Sequence, residues 1–304
     1  RLTASTGIHK GDREYQQDQV ALLAHQRYNG CVLGVLADGM GGHAEGEVAS
    51  QLALQTLAAE FQRQATPRLP DVQAFLQQGV MLAHERILAY GRHKRMSDGP
   101  RTTVVAAVIQ DGYVSWVNCG DSRLYWARDG VLQARTRDHS YAEMDRAGAL
   151  KLAHKILNRN VLYTCLGAEA RPVLDFAGPH KLQQNDRLLL CSDGLWDVLQ
   201  EHILLQRLSN SPVQDAVPAL VDAALQVAGS KSDNVTAIAV QWEQAQQEPE
   251  AADTQHGGED TFSSTIQSLQ DLEGFDVNLD EAEIERSIAE INEAIRRSAL
   301  HKKV

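Results

Sequence analysis

Hydrophobic and polar positions follow two different periods along the chain. Residues 45–64 and 71–93 place apolar side chains three or four positions apart, which predicts two amphipathic helices, the second capped by Asp71. A third helix is predicted over 212–228, beginning at Pro212. Short apolar or β-branched runs predict strands at 18–24, 31–37, 102–109, 113–118, 122–127, 187–191 and 234–241.

The order of these elements indicates the fold class. Several predicted strands follow one another directly, and the Asp-Gly pairs at 111–112 and 129–130 are typical of tight hairpin turns. Strands in adjacent pairs favour antiparallel sheets over a doubly wound parallel sheet. We therefore expect two sheets covered by helices.

The C-terminal part of the chain has a different composition. Residues 246–304 contain 14 acidic and 5 basic residues, so this part contributes −9 to the net charge of −11. Residues 246–260 are polar, acidic and glycine-containing, which predicts a linker. Residues 261–304 are predicted to be a helical tail that can form a hairpin, with an apolar stripe from Ile284 to Ile295. The stripe must dock on the body, self-associate or bind a helical partner.

Composition excludes some classes of protein. An acidic chain is not expected to bind nucleic acid, because that affinity depends on Lys and Arg at phosphates. No apolar run approaches the ~18 residues that a membrane-spanning helix needs, so no membrane span is expected. The four cysteines lie singly, without a Cys-x-x-Cys pair, which predicts reduced thiols and a cytoplasmic location.

Aspartates stand at the ends of several predicted strands, and three of the four lie beside a glycine: Asp38, Asp121, Asp193 and Asp233. A single Asp-Gly pair is more often a turn former than a ligand. The whole set indicates a shared site, because carboxylates that converge in one cleft cannot all stay ionised and unpaired. Mg²⁺ and Mn²⁺ prefer such oxygen ligands, so a divalent-metal site is predicted.

Longer motifs extend this pattern over most of the chain. In order they read REYQQD at 13–18, LADGMGGHAEGEVAS at 36–50, RTTVVAAV at 101–108, GDSRLY at 120–125, TRDHS at 136–140, SDGLWD at 192–197 and SDNVT at 232–236. Together these motifs resemble the metal-dependent protein phosphatases of the PP2C type. The motif DGMGG, with Met40 in place of histidine, is similar to that of the bacterial branch of the family. The resemblance implies an α+β, four-layer α-β-β-α sandwich of two mainly antiparallel sheets flanked by helices, to which the tail predicted above adds a C-terminal helical extension. It assigns residues 1–245 to the phosphatase domain and about 141–159 to a flap beside the cleft.

The resemblance also implies a metal centre of two or three Mn²⁺ or Mg²⁺ ions. Asp38 would bridge two ions, and the backbone carbonyl of Gly39, Asp193 and Asp233 would complete the direct protein ligands. Further candidates are Asp18, through bound water, and Asp121 and Asp197, at a third ion. The implied activity is hydrolysis of phosphoserine and phosphothreonine in proteins by attack of a metal-bridging hydroxide, opposing a bacterial Ser/Thr kinase.

Other positions would serve the phosphate and the outer shell of the centre. Arg13 would hold the substrate phosphate as a bidentate fork, and Gln17 and Asn234 would lie in the outer shell. Met40 stands where relatives with the DGHGG motif have the histidine that is the candidate acid, so His43, three residues on, is one candidate that protonates the leaving oxygen, with a water as the alternative. A histidine in the first turn of a helix is as often structural. Arg101 replaces the Gly of the relatives' GTT motif, either as a charge that faces phosphate or as packing at a strand entry.

Two alternatives compete with an active metal-dependent phosphatase. The stretch from Cys165 to Arg171 matches C-x5-R of thiol phosphatases, although Glu169 and Pro172 do not suit a phosphate-binding loop that opens a helix. A catalytically inactive sensor or scaffold, whose C-terminal helices bind a partner, would have lost a metal ligand. Asp38, Asp193 and Asp233 are all present, which favours activity.

Overall fold

The computed structural model describes residues 2–25, 28–40, 45–146 and 161–243. In this part the strands form two sheets, and all their pairings are antiparallel. The first sheet consists, in spatial order, of β1 (Leu2–His9), β11 (Val235–Trp242), β10 (Arg187–Cys191), β7 (Arg123–Arg128) and β8 (Val131–Arg135).

The second sheet consists, in spatial order, of β2 (Asp18–His25), β3 (Tyr28–Met40), β5 (Val104–Gln110), β6 (Tyr113–Cys119) and β9 (Asp175–Lys181). A short strand, β4 (Arg101–Thr102), pairs with the end of β3. Both predicted hairpin turns are confirmed. Asp111 and Gly112 have φ of 55° and 79° between β5 and β6, and Asp129 and Gly130 have 49° and 77° between β7 and β8.

The described α-helices are α1 (Glu45–Gln64), α2 (Val72–His93), α3 (Tyr141–Arg146), α4 (Asp193–Trp196), α5 (Glu201–Asn210) and α6 (Val213–Ala228). Of these, α1 and α2 cover the outer face of the second sheet, and α5 and α6 cover that of the first. The three predicted helices are confirmed as α1, α2 and α6. Asp71 caps α2 as expected, since its Oδ1 accepts a hydrogen bond of 2.9 Å from the Ala74 N–H.

Three apolar layers hold the structure together. Leu57 and Phe75 pack α1 and α2 against the second sheet, while Leu204 and Leu220 pack α5 and α6 against the first. A third layer, which includes Leu36, lies between the sheets. Complete burial of a side chain of this size contributes about 1.5–3 kcal/mol, so each interface is a substantial part of the core. The four-layer α-β-β-α sandwich is confirmed.

Some predictions fall outside the described residues. These are the linker at 246–260, the helical tail at 261–304, His43 and most of the flap, of which the structure describes the first residues as α3. None of the described helices is long and apolar enough to cross a membrane.

Candidate active site

Four of the predicted aspartates lie at strand ends that the two sheets bring together. Asp18 opens β2 and is paired directly with Asp38 near the end of β3. Asp193 begins α4 two residues after β10, and Asp233 lies two residues before β11, the neighbour of β10. Each sheet therefore delivers two carboxylates to the site.

The carboxylates are close enough to perturb one another strongly. Asp193 lies within hydrogen-bonding reach of Asp38. Burial first, and then repulsion from Asp18 and Asp193, raises the pKa of Asp38 well above its usual value. Burial, followed by repulsion from Asp121 and Asp233, raises the pKa of Asp193 to about 8. Such a cluster resists full ionisation at neutral pH.

The same environment extends to Asp18 and Asp121. Burial raises the pKa of Asp18 to about 6, against a hydrogen bond from Ser192 that lowers it. Burial, and then the charge of Asp138, raises the pKa of Asp121 to about 6. The cluster thus reaches from β2 to the loop between β6 and β7.

The donor set fits a hard divalent cation. All of the gathered side chains present oxygen, and the buried Oδ1 of Asp18 has no hydrogen-bond partner among the described residues, while its Oδ2 accepts 2.7 Å from Ser192 Oγ. In the described part of the chain, no group of three or more His, Cys, Asp or Glu side chains is already arranged to hold a metal ion, so the fit rests on the chemistry of the donors. Mutually repelling carboxylates with an unsatisfied buried oxygen are stabilised by a Mg²⁺ or Mn²⁺ ion, so these residues fit the predicted metals.

Arg13 lies on the loop between β1 and β2, at the edge of this cluster. Its Nη2 donates to Asp233 Oδ2 at 2.5 Å, and 61% of its side chain is exposed. The hydrogen bond and the charge of Asp233 raise the pKa of Arg13, with smaller contributions from Asp193 and Asp38. The guanidinium is therefore anchored at one nitrogen and open to solvent beside the carboxylates.

Asn234 holds the loop that carries Arg13. Its Nδ2 donates to the carbonyls of Lys10 (2.8 Å) and Tyr15 (3.0 Å), and its Oδ1 accepts 2.8 Å from the Gln17 N–H. The main-chain N–H of Asn234, rather than the Asn234 side chain, contacts Asp233 and donates to its Oδ1 at 2.8 Å. The Asn234 side chain thus joins the start of β11 to the loop.

Gln17 contributes to the site through its backbone. Its carbonyl accepts hydrogen bonds from the Gly39 N–H (3.0 Å) and from Ser50 Oγ (2.6 Å). This arrangement requires glycine at position 39, because a Cβ there would lie 2.0 Å from the Gly46 carbonyl oxygen. The predicted ligand Gly39 is therefore locked between the loop and the start of α1.

Sequence reasoning missed a buried group that supports the Asp121 side of the site. Arg123 Nε and Nη2 donate to Asp138 at 2.8 and 2.7 Å, and Arg123 Cζ lies 3.5 Å from the centre of the Trp196 ring. Trp196 Nε1 in turn donates 2.9 Å to the Asp121 carbonyl. The available signal was a charged residue, Arg123, directly before the largely apolar run 124–127 of β7.

Thr103 was missed as well. Its Oγ1 accepts 3.1 Å from the Asp38 N–H and lies 2.6 Å from Ser122 Oγ, and both side chains are buried. The signal was the pair of adjacent threonines in the RTTVV motif, which directly precedes the apolar strand β5. Thr103 fixes the backbone of Asp38 to the neighbouring strand.

Two other predicted site residues lie at the margin. Asp197 is exposed at the end of α4, where its N–H donates 2.9 Å to the Asp193 carbonyl. Met40, at the position of the relatives' histidine, is half-buried at the end of β3.

The cysteine alternative has no support in the structure. Cys165 is buried, and burial raises the pKa of its thiol. Residues 165–174 contain no helix, so no helix N-terminus lies behind the sulfur to stabilise a thiolate. A covalent thiol phosphatase is therefore not favoured.

The two-sheet sandwich and its carboxylate cluster suit a hydrolase that uses divalent metal ions. The chain matches the family model described as Protein phosphatase 2C over residues 8–223, and it belongs to this family. The serine/threonine phosphatase stp of Listeria monocytogenes is 30% identical over 243 residues, which cover 75% of this chain and 94% of that protein.

Solved structures agree with this assignment. The crystal structure of the Mycobacterium tuberculosis serine/threonine phosphatase PstP/Ppp is similar with a TM-score of 0.67 and 31% identity, covering 80% of this chain and 99% of that one. A structure of the PstP catalytic domain in complex with two manganese ions has a TM-score of 0.65 and 31% identity, covering 79% and 97%. The chain is a metal-dependent protein serine/threonine phosphatase, and the inactive alternative is not favoured.

Proposed function

We propose that this phosphatase binds two or three Mn²⁺ or Mg²⁺ ions through Asp38, the carbonyl of Gly39, Asp193 and Asp233, and hydrolyses phosphoserine and phosphothreonine in proteins. The observation that carries the proposal is the convergence of mutually repelling carboxylates on Asp38, with an unpaired buried oxygen of Asp18 beside them. The relative solved with two manganese ions supports the same choice of metal.

The bound cations would supply Lewis-acid chemistry, which lowers the pKa of water and neutralises charge on phosphoryl oxygens. The protein's own residues then position the substrate. Arg13, held at one nitrogen by Asp233, can turn its free nitrogens to two phosphate oxygens, a planar geometry that Lys cannot reproduce. Asp18, Asp121 and Asp197 are the further carboxylates assigned to the metal centre, and Gln17 and Asn234 support it from outside.

The leaving oxygen of serine or threonine must receive a proton. The thioether of Met40 has none to give. We assign this role to His43, three residues further along the chain. The test is the variant His43→Gln. We expect its kcat to fall for a phosphothreonine peptide and to fall less for an aryl phosphate, because an aryl leaving group needs no proton.

The biological setting follows from the reaction. The substrates are phosphorylated proteins of a Ser/Thr kinase pathway, and the four buried free cysteines suit the cytoplasmic location predicted above. We assign residues 1–245 to the phosphatase domain, 246–260 to a linker and 261–304 to a tail that binds a helical partner or a second copy of the chain. Unchanged turnover, oligomeric state and partner binding after truncation at residue 245 would contradict the assignment of the tail.

The central experiment is hydrolysis of a phosphothreonine peptide with Mn²⁺ or Mg²⁺, repeated with a chelator. Asp38→Asn should abolish turnover and weaken Mn²⁺ binding measured by calorimetry. Asp129→Asn is the matched control, because Asp129 also precedes a glycine but is exposed in the turn between β7 and β8. A full rate in the chelator, or equal rates in the two variants, would contradict the proposal.

Arg13 can be tested separately from the metals. Arg13→Lys keeps the positive charge but loses the planar guanidinium that can bind two phosphate oxygens. Because the loss of a hydrogen bond to a charged group costs about 1.5–3 kcal/mol, we expect kcat/KM for the peptide to fall about tenfold or more. Manganese binding should remain within twofold of wild type. An unchanged kcat/KM would show that Arg13 does not hold the phosphate.

A further inference from the structure

Arg101 lies on a short strand that runs beside the end of β3, and the proposed mechanism does not use it. It opens β4 and is paired directly with Met40, the last residue of β3. Met40 is two residues from Asp38, so the start of β4 runs beside the strand end that carries the central carboxylate. Arg101 is therefore a cation placed next to a cluster of acids.

The strand register determines on which face this cation emerges. β3 pairs with β5 and β4 in one unbroken register, from Leu36–Val105 to Met40–Arg101. Side chains alternate between the faces of a strand, and directly opposed residues share a face. Leu36 and Val105 lie in the apolar layer between the sheets. The same face must carry Asp38, Met40 and Arg101.

The interaction that holds Arg101 is weak. Its Nη2 donates 2.6 Å to Asp98 Oδ1, three residues earlier, and the two side chains are 45% and 80% exposed. An exposed ion pair of this kind contributes about 0–1 kcal/mol. The guanidinium can therefore leave Asp98 for a carboxylate of similar chemistry at little energetic cost.

The spacing suits a residue that flanks the phosphorylated one. Two residues along β3 span about 6.7 Å, and the step across to β4 adds about 5 Å. An extended substrate advances by about 3.3 Å per residue. A peptide whose phosphate lies beside the metal ions held by Asp38 would thus bring residues about one to three positions away within reach of the Arg101 side chain.

We propose that Arg101 is a specificity-determining residue that binds a carboxylate side chain flanking the phosphorylated residue of the substrate. The positive charge of Arg101 would attract an acidic flank, so Arg101 favours acidic phosphoprotein segments over neutral ones. This inference rests on the proposed function, because it places the substrate phosphate beside the metal ions that Asp38 would hold.

The test uses two phosphothreonine peptides that carry either Glu or Gln at the two positions on each side of the phosphothreonine. The measured quantity is the ratio of kcat/KM for the Glu peptide to that for the Gln peptide, with Mn²⁺ held constant. Arg101→Gln should lower this ratio about fivefold, the effect of one part-exposed charge pair. Arg101→Glu should lower it further, and Arg101→Lys should retain most of it.

A matched control comes from Arg63. It forms an ion pair with Glu60 at the same spacing of three residues, on the last turn of α1, and its side chain is 69% exposed. Arg63→Gln should leave the wild-type ratio unchanged. Higher salt should reduce the difference between wild type and Arg101→Gln, because screening weakens an exposed pair. Should Arg101→Glu fail to fold, Arg101→Gly replaces it, with the same loss as Arg101→Gln expected.

The outcomes separate this inference from the proposal beneath it. Equal ratios in wild type and Arg101→Gln would overturn the role of Arg101 while leaving the phosphatase mechanism intact. A parallel loss on both peptides would also overturn it, because Arg101 would then act on the phosphate or on folding and not on the flanking residues. Wild-type enzyme that hydrolyses neither peptide with Mn²⁺ would contradict the proposed function and this inference with it.

Discussion

Asp138→Asn tests how far the buried Arg123–Asp138 pair supports the fold beside the site. The substitution keeps the shape of the side chain and removes its charge. Asp138 accepts two hydrogen bonds from Arg123, at 2.8 and 2.7 Å, and the two side chains are only 6% and 7% exposed. The asparagine variant leaves a buried guanidinium without a counter-ion.

The magnitude follows from this burial. Burial by itself lowers the pKa of Arg123, but the hydrogen bonds and charge of Asp138 raise it above its usual value, so the wild-type group stays charged. Removing one partner of a buried ion pair costs about 3–5 kcal/mol. For a domain of this size 1 kcal/mol corresponds to about 2–4 °C in Tm, so we expect a loss of about 10 °C.

Thermal unfolding followed by circular dichroism measures the effect, with a chelator present so that metal binding does not contribute. Asp98→Asn is the control, because it makes the same acid-to-amide change in the exposed pair with Arg101, and its loss should stay within about 1 kcal/mol. Equal losses in the two variants would refute the reasoning, since burial would then not have mattered.

Two further predictions concern glycine and pH. Gly39→Ala should destabilise the protein by several kcal/mol in urea titrations, because the new Cβ would lie 2.0 Å from the Gly46 carbonyl oxygen. The control is Gly34→Ala on the same strand, whose Cβ would meet nothing closer than 3.8 Å and which should cost less than about 1 kcal/mol. Similar losses in the two variants would contradict the steric account. The raised pKa values of Asp38 and Asp193, the latter about 8, mean that the folded, metal-free state binds more protons than the unfolded state. Its stability should therefore fall as pH rises from about 4 to about 8, and Mn²⁺ should stabilise it more at high pH than at low pH. A rise of stability with pH in the chelator would contradict this assignment.

Elements with strong local signals were predictable. The helices α1, α2 and α6 agree with their apolar periodicity to within a residue at each end, because one face of each is buried against a sheet. The Asp-Gly turns were predictable because their positive φ angles suit few other residue pairs. The missed strands β1, β8 and β9 lie at sheet edges, where partial burial leaves a mixed polar pattern.

The sequence by itself determined which residue types could form the site, since aspartates at the ends of apolar strands bring carboxylates to sheet edges. Only the tertiary structure decided which of them meet. Asp38 lies in the second sheet and Asp193 follows a strand of the first, so their approach depends on how the two sheets pack.

The same holds for the supporting groups. The pairing of Arg123 with Asp138, the contact of Trp196 with Asp121 and the face on which Arg101 emerges depend on strand register and on distant segments. Local sequence patterns report burial and turn geometry, because those depend on neighbouring residues. Electrostatic and hydrogen-bonding partners are set by the packing of the whole chain.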